Sequence, residues 1–162
     1  MTERPGSLPL DGSDADLAGL RLAIEQARIG RREGGVPIGA ALVADDGTVL
    51  GLGHNRRVQM NSAIRHGETD ALERAGRLPA SVYRRSTMYT TLSPCDMCTG
   101  AILLYGIPRV VLGENRTFTG GEDELRRRGV EVIDLDSQAC VDLMDDFIAA
   151  HPEIWNEDIG AV

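Results

Sequence analysis

The sequence predicts an α/β protein in which a mixed sheet lies between layers of helices. Two features favour this class: an opening pair of strand-like runs joined by a tight turn, and a regular alternation of strand-like and helix-like segments after it. The 162 residues are enough for one hydrophobic core, because a chain of this size buries roughly two thirds of its unfolded surface. No repeat or linker divides the chain, so we expect one domain over 1–162.

The first predicted helix follows a polar tail at 1–13 that we expect to be flexible. Ser13 or Asp14 would be its N-cap, and the glycines at 34 and 35 would end it. The apolar residues at helical spacing are Leu17, Leu20, Ile24 and Ala27. The next run, 37–55, has two short apolar segments joined by Asp-Asp-Gly, which is typical of a β-hairpin.

Helices and strands alternate through the rest of the chain. Helices are predicted at 67–78, 94–106, 121–129 and 137–151. Strands are predicted at 86–92, 107–113 and 130–136. Proline at the start of the second of these helices and Gly106 at its end follow the usual asymmetry of helix termini. The segment 152–162 follows the last helix.

Composition limits the classes of partner. With 25 acidic and 17 basic residues the net charge is −8, which disfavours binding to a nucleic-acid backbone. The arginines at 126–128 are predicted to be a solvated helix face. Nowhere do about eighteen apolar residues follow one another, and the N-terminal residues lack a secretory pattern. Three cysteines make no disulfide framework, so we expect a soluble, cytoplasmic protein without membrane contact.

Two short motifs predict a metal site. Cys95 and Cys98 form a Pro-Cys-x-x-Cys sequence, and His66 and Glu68 form a His-x-Glu sequence about thirty residues before it. Together these are the signature of zinc-dependent nucleobase deaminases, in which the glutamate moves protons and is not a ligand. Both motifs fall at the start of a predicted helix, where free backbone N–H groups favour thiolates. We therefore expect one zinc ion held by the histidine and the two cysteines.

Two other interpretations of the cysteine pair remain open at this point. A redox dithiol would leave the histidine and the glutamate without a role. A closed structural zinc site would need a fourth ligand from Cys140, His54 or His151. Cys140 lies among apolar residues of the last predicted helix, where a small buried side chain is the expected role.

Longer motifs resemble one family. The segments EGGVPIGAALV, GHNRR, RHGE, MYTTLSPCDMCTGAILLYGIPRVVLGEN and the ending WNEDIG are similar to the fungal-type cytosine deaminases, zinc enzymes with the cytidine deaminase-like fold. The likeness extends from about residue 17 to residue 160. It implies a three-layer α/β/α sandwich with a five-stranded mixed sheet, a homodimer, a role in pyrimidine salvage, and hydrolysis of a free base to its oxo form with release of ammonia.

The resemblance also assigns roles to matching residues. Zinc would lower the pKa of a bound water towards neutrality, and Glu68 would shuttle the proton from it to the ring nitrogen of cytosine. Asp158 would accept a hydrogen bond from the exocyclic amine, so that the segment 152–162 closes the active site. The other residues expected to contact the substrate are Asn55, Gly67, Phe118, Trp155, Ile38 and Leu92, together with the backbone N–H of Cys95.

The preferred base stays open at this stage. Relatives with the same metal motif deaminate guanine, aminotriazines or adenosine in transfer RNA, and a zinc-binding module without catalysis is a third alternative. Three positions depart from the fungal-type pattern: Val58, Arg65 and Asn156. A smaller side chain at Val58 is expected to enlarge the substrate pocket.

Overall fold

The computed structural model describes residues 14–161, and within them five strands form one sheet. The strands are β1 (Gly39–Ala44), β2 (Val49–His54), β3 (Ser86–Thr90), β4 (Arg109–Leu112) and β5 (Glu131–Asp134). Their order is β2-β1-β3-β4-β5; β1 is antiparallel to both of its neighbours, while β3, β4 and β5 run parallel. The predicted mixed sheet is therefore confirmed. The predicted tail at 1–13 and the cap at Ser13 lie outside the described residues.

The helices of the described segment include all those predicted and three short ones that were not. They are α1 (Asp14–Arg32), α2 (Arg57–Met60), α3 (Gly67–Ala75), α4 (Ala80–Tyr83), α5 (Asp96–Tyr105), α6 (Glu122–Arg127), α7 (Gln138–Ala150) and α8 (Pro152–Asp158). The unpredicted helices are α2, α4 and α8, which have one or two turns and so show no amphipathic period. Between residues 14 and 161, no helix has the length and apolar character needed to cross a bilayer.

The two faces of the sheet carry separate cores, because alternate residues of each strand point to opposite sides. Met88 of β3 faces α3, α5 and α6, whereas its neighbour Tyr89 faces α1 and α7. The apolar stripe predicted for α1 is wrong at Leu17, which is 42% exposed; Ala23 is fully buried in the same helix. The α/β/α layering follows from these two buried faces.

The antiparallel position of β1 brings three chain segments to one edge of the sheet. The start of β1 lies beside the ends of β2 and β3, since Gly39 pairs with His54 and Ala40 pairs with Thr90. Helix α3 packs close against β2 at this edge: a Cβ on Gly53 would lie 2.2 Å from the backbone N of Ala71. Glycine is required there because any side chain would push the helix away.

A buried ion pair joins α1 to the sheet. The Arg109 guanidinium donates two hydrogen bonds of 2.7 Å to the Asp16 carboxylate, which also accepts one from the Tyr89 hydroxyl at 3.1 Å. Asp16 is fully buried and Arg109 is 4% exposed. The pair therefore fixes α1 against β3 and β4.

We expect Arg109→Met to lower the free energy of unfolding by about 3–5 kcal/mol, because a buried carboxylate loses its partner. Urea unfolding at fixed protein concentration measures the change. Arg127→Met is the matched control, since Arg127 pairs with Glu124 on the exposed face of α6 and its replacement should change stability far less. Equal stability of the two variants would contradict this role.

Candidate active site

Three potential metal ligands meet at the sheet edge formed by β1, β2 and β3. The ligand atoms of His66, Cys95 and Cys98 all lie within 4.8 Å of one another. The Nδ1 atom of His66 is 3.3 Å from the Cys95 sulfur and 3.8 Å from the Cys98 sulfur. These residues were predicted from two motifs about thirty positions apart, and the fold brings them together.

Two helix N-termini position this cluster. His66 is the N-cap of α3, and Cys95 is the N-cap of α5. The backbone N–H of His66 donates to the Thr69 hydroxyl at 2.9 Å, which fixes the first turn of α3. Free N–H groups at a helix start carry partial positive charge and stabilise thiolates. Cys98 lies in the first turn of α5, so both sulfurs are at the favourable end of that helix.

Proton affinities in the cluster are strongly perturbed. Hydrogen bonding with Cys98, aided by the neighbouring His66, lowers the pKa of Cys95 to about 4, although burial opposes the shift. The same bond with Cys95, together with burial, raises the pKa of Cys98. Burial opposes the charged form of His66, but its hydrogen bond with Cys95 and the charges of Asp158 and Glu68 outweigh burial and raise the pKa of His66 to about 9.

The cluster fits a zinc ion. Two sulfurs and one imidazole nitrogen are a donor set that zinc prefers. Three protein ligands are typical of catalytic zinc sites, which leave a further position for water or substrate. Within residues 14–161 no other histidine, cysteine or carboxylate joins the group.

The three residues considered as a fourth zinc ligand lie away from the cluster. Cys140 is 1% exposed in the core between α1 and α7, and burial raises the pKa of its thiol to about 11. The ring nitrogens of His54 contact Gln26 at 3.0 Å and Glu33 at 2.7 Å. His151 is exposed at the end of α7. A structural four-ligand site is therefore not formed by the described residues.

Glu68 lies beside the cluster with its carboxyl group buried. The residue is 3% exposed, and burial raises the pKa of its carboxyl group, with the negative charge of Cys95 adding to the effect. The hydroxyl of Thr90, at the end of β3, donates to Oε1 of Glu68. A buried carboxyl group whose pKa lies above its usual range is suited to accept and return a proton near neutral pH.

A small cavity opens against Glu68 and the metal ligands. Five of the residues predicted to contact substrate line it: Ile38, Leu92, Phe118, Trp155 and Asp158. The rings of Phe118 and Trp155 meet edge to face, with centroids 5.9 Å apart. The remaining lining residues are His66, Glu68, Ser93, Cys95 and Ile159. The cavity is thus an apolar slot with carboxyl groups and metal ligands at one end, a shape suited to a flat heterocycle.

The C-terminal helix α8 supplies the second carboxylate of the cavity. The Asp158 side chain is 2% exposed, and its Oδ1 accepts a 2.8 Å hydrogen bond from the Asn55 amide. Its Oδ2 lies 3.5 Å from Nε2 of His66. Asn55 is fully buried and contacts the cavity through Asp158 instead of lining it, and Gly67 at the start of α3 is also outside the lining.

Sequence reasoning missed four residues near the cavity. Ser93 and Ile159 line it, Thr90 holds Glu68, and Arg57 contacts Asp158. Ser93 also donates to the buried Glu122 carboxylate at 2.6 Å, which anchors the loop that carries the Phe118 ring. Ser93 and Ile159 directly follow the predicted site residues Leu92 and Asp158, and Thr90 and Arg57 lie two positions from Leu92 and Asn55, so proximity in the chain was the available signal.

The three departures from the fungal-type pattern lie away from the cavity. Val58 is 46% exposed on α2, so its expected enlargement of the pocket is wrong for the described chain. Arg65 pairs with the buried Asp70 at 3.5 Å and with Glu73 at 2.9 Å. Asn156 is half-buried on α8 outside the lining. None of the three alters the wall of the cavity.

The fold and the cluster together define a zinc-dependent deaminase with the cytidine deaminase-like architecture. The family model described as the cytidine and deoxycytidylate deaminase zinc-binding region matches residues 13–114, which include all three ligands and Glu68. The chain belongs to this family. Its cofactor is zinc, and the predicted resemblance is confirmed.

Known proteins with similar sequences or structures include three informative cases. A cytosine deaminase of Candida albicans is 58% identical over 145 residues, covering 90% of this chain and 97% of the relative. A tRNA-specific adenosine deaminase of Streptococcus pyogenes is 37% identical over 105 residues, covering 64% of this chain and 65% of the relative. A solved guanine deaminase from Nitrosomonas europaea, 23% identical, matches with a TM-score of 0.67 over 90% of both chains and shares the fold.

Proposed function

We propose that this protein hydrolyses the free base cytosine to uracil and ammonia. The observation that carries the proposal is the buried Glu68 carboxyl group, which faces an apolar cavity beside the three zinc ligands. The 58% identity to a cytosine deaminase over nearly its whole length supports cytosine as the substrate. The reaction adds oxygen to the amine-bearing ring carbon and breaks its bond to the exocyclic nitrogen.

The residues of the cavity have distinct roles in this proposal. Zinc, when bound by His66, Cys95 and Cys98, supplies a Lewis acid that lowers the pKa of a coordinated water. Glu68 takes a proton from the nucleophile and delivers it to the adjacent ring nitrogen. It then takes the proton of the hydroxyl added to the ring carbon and passes it to the exocyclic amine, which leaves as ammonia. The Thr90 hydroxyl holds Oε1 of Glu68, which leaves Oε2 for this transfer.

Recognition of the base is assigned to Asp158, beside His66, and to the apolar walls of the cavity. Asp158 accepts from the exocyclic amine. Asn55, which lies outside the cavity lining, acts on the base indirectly by fixing the Asp158 carboxylate. The apolar ring contacts come from Phe118, Trp155, Ile38 and Leu92, and the backbone N–H groups of Gly67 and Cys95 lie at the helix starts beside the reacting centre. An amine donates to a carboxylate while the carbonyl of uracil does not, so the same contact favours product release.

The mouth of the cavity favours a small neutral substrate over a polynucleotide. A wider depression outside the cavity is lined by three acidic side chains, Asp96, Glu157 and Asp158, and one arginine, Arg57. With the net charge of −8, this surface would repel phosphates. The resemblance to tRNA-specific adenosine deaminases therefore supports shared zinc chemistry more than a shared substrate.

A substrate panel tests the proposal. Zinc-loaded protein is incubated with cytosine, 5-methylcytosine, cytidine, guanine, adenine, ammeline and a transfer RNA, and released ammonia is measured. Protein carrying Glu68→Gln, prepared in the same way, controls for contaminating deaminases. We expect cytosine to give the highest kcat/KM. Ammonia from guanine or transfer RNA alone, or from none of the substrates, would contradict the proposal.

We expect Asp158→Ala to lower kcat/KM for cytosine by about ten- to a hundredfold, because a hydrogen bond to a charged group contributes roughly 1.5–3 kcal/mol. Steady-state kinetics on zinc-loaded protein measures this loss. Glu153→Ala is the matched control, since it removes an exposed carboxylate from the same helix. Wild-type kinetics for Asp158→Ala would mean that the base is recognised elsewhere.

We further propose that the protein is a homodimer. Around the groove between α3 and α5, Ile64, Leu104 and Tyr105 are exposed at 63%, 76% and 41%. Such a face supports a homodimer, which would cover these side chains. Sedimentation velocity tests this, because a particle of 17.5 kDa would contradict it. A cytoplasmic enzyme of pyrimidine salvage is the matching cellular role.

A further inference from the structure

One arginine connects the C-terminal helix to the two segments that carry Asn55 and His66. Nε of Arg57, the first residue of α2, donates to the backbone O of Ala63 at 3.1 Å, three residues before His66. Its Nη2 lies 3.4 Å from Oε1 of Glu157, and its Nη1 lies 3.5 Å from Oδ1 of Asp158. The Arg57 side chain is 16% exposed and that of Asp158 is 2% exposed, so this contact is largely shielded from water, whereas the Glu157 side chain is 71% exposed.

Arg57, Asn55 and Asp158 form a closed ring of hydrogen bonds. The backbone N–H of Arg57 donates to Oδ1 of Asn55 at 3.1 Å, and the Asn55 amide donates to Oδ1 of Asp158 at 2.8 Å. The Arg57 guanidinium completes the ring by donating to the same Oδ1. Each member thereby fixes the orientation of the next. Arg57 orients Asn55 through its backbone and Asp158 through its side chain.

The buried Asp158 carboxylate requires such a partner. It shares the cavity with Glu68, which is also buried, so two carboxyl groups lie where water is largely excluded. Burial of a carboxylate is costly unless it is paired and hydrogen-bonded. The guanidinium keeps its charge at all accessible pH values and donates in a fixed fork, which can hold two carboxylates and a carbonyl at once.

Helix α8 has two anchors, and Arg57 is the one nearer the cavity mouth. Trp155, in the middle of the helix, packs in an apolar cluster with Met144 and Phe147 of α7. The last turn, which carries Glu157 and Asp158, also has polar contacts, those of Arg57 among them, while Ile159 just after it packs against the apolar cluster. Loss of the arginine should therefore loosen the last turn without unfolding the helix.

We propose that Arg57 is a positioning residue that holds the last turn of α8 over the cavity and sets the Asp158 carboxylate for the substrate amine. The orientation of Asp158 towards the substrate rests on the proposed deamination, whereas the position of the last turn of α8 does not. The position of the helix and the recognition of the substrate are therefore measured separately.

The test compares Arg57→Gln with Arg56→Gln in zinc-loaded protein. Arg56 is the adjacent arginine; it pairs with Asp70 at 3.5 Å, so its replacement removes the same charge without touching α8. Trp155 is the only tryptophan of the chain, so acrylamide quenching of its fluorescence reports on α8 directly. A second readout is KM and kcat for cytosine.

For Arg57→Gln we expect greater quenching than in the wild type and a KM raised about tenfold with a smaller change in kcat, the size expected for a lost contact to a charged group. Arg57→Lys retains one charge and should give an intermediate KM, while Arg56→Gln should match the wild type. Should Arg57→Gln fail to fold, Arg57→Lys carries the same comparison. Wild-type quenching in the Arg57 variants would overturn the proposal, even if the wild type proved inactive on cytosine.

Discussion

Replacement of Glu68 by glutamine is expected to lower kcat for cytosine by at least about 10²–10⁴-fold while zinc content and fold are retained. The amide has nearly the shape of the carboxyl group and can still meet the Thr90 hydroxyl, but it cannot accept and return a proton. Initial rates of uracil formation, together with metal analysis of the same preparation, give both quantities.

The matched control is Glu73→Gln on the same helix. Its side chain is 58% exposed and pairs with Arg65 outside the cavity, so it should leave kcat unchanged. If Glu68→Gln lost its zinc, the glutamate would be a ligand and the proposed proton transfer would be wrong. If it kept full activity, the proton would have to move through another group.

Cys98→Ala should abolish both zinc retention and activity. Removal of one of three ligands leaves His66 and Cys95 as the remaining donors, too few for the usual zinc site. Zinc per chain after dialysis, measured by atomic emission, should fall from one to well below one. Turnover of cytosine should fall below detection in the same sample.

Cys140→Ala is the control for this change. It removes a thiol of similar burial from α7, away from the three ligands, so zinc should stay at one per chain. Any loss of activity in Cys140→Ala should be accounted for by the lower stability of this variant. Full zinc in Cys98→Ala would refute the assignment of the ligands.

The metal site could be predicted from the sequence because its residues occur in two short motifs. His66 and Glu68 share one helix start, and Cys95 and Cys98 share another, so spacing alone states which side chains project together. The two motifs corroborate each other although neither is decisive. Five of the eight described helices and all five described strands could also be predicted, the helices from apolar spacing and terminal residues and the strands from short apolar runs.

The rest of the site depends on tertiary contacts that no local pattern contains. Arg57 and Asp158 are separated by about a hundred residues, and their contact exists only because α8 packs back against Val36 and Ile38, just before β1. Asp158 was assigned through the family resemblance, since an acidic residue near a chain end is usually solvated. Short helices such as α2 and α8 gave no periodic signal.

Departures from a family pattern could be interpreted only with the fold in hand. Arg65 departs from the fungal-type pattern, and its guanidinium faces the buried Asp70, which Arg56 and Arg74 also approach. Its role is to neutralise a fully buried carboxylate on α3. A sequence neighbour of a catalytic residue can thus serve the scaffold.

The most direct test of zinc-dependent cytosine deamination is a zinc titration of metal-free protein. The protein is stripped with a chelator, dialysed, and supplied with increasing zinc while uracil formation from cytosine is followed by absorbance. The rate should start near zero, rise linearly, and reach a plateau at one zinc per chain. Metal-free protein that forms uracil at the full rate, or zinc-saturated protein that forms none, would contradict the account.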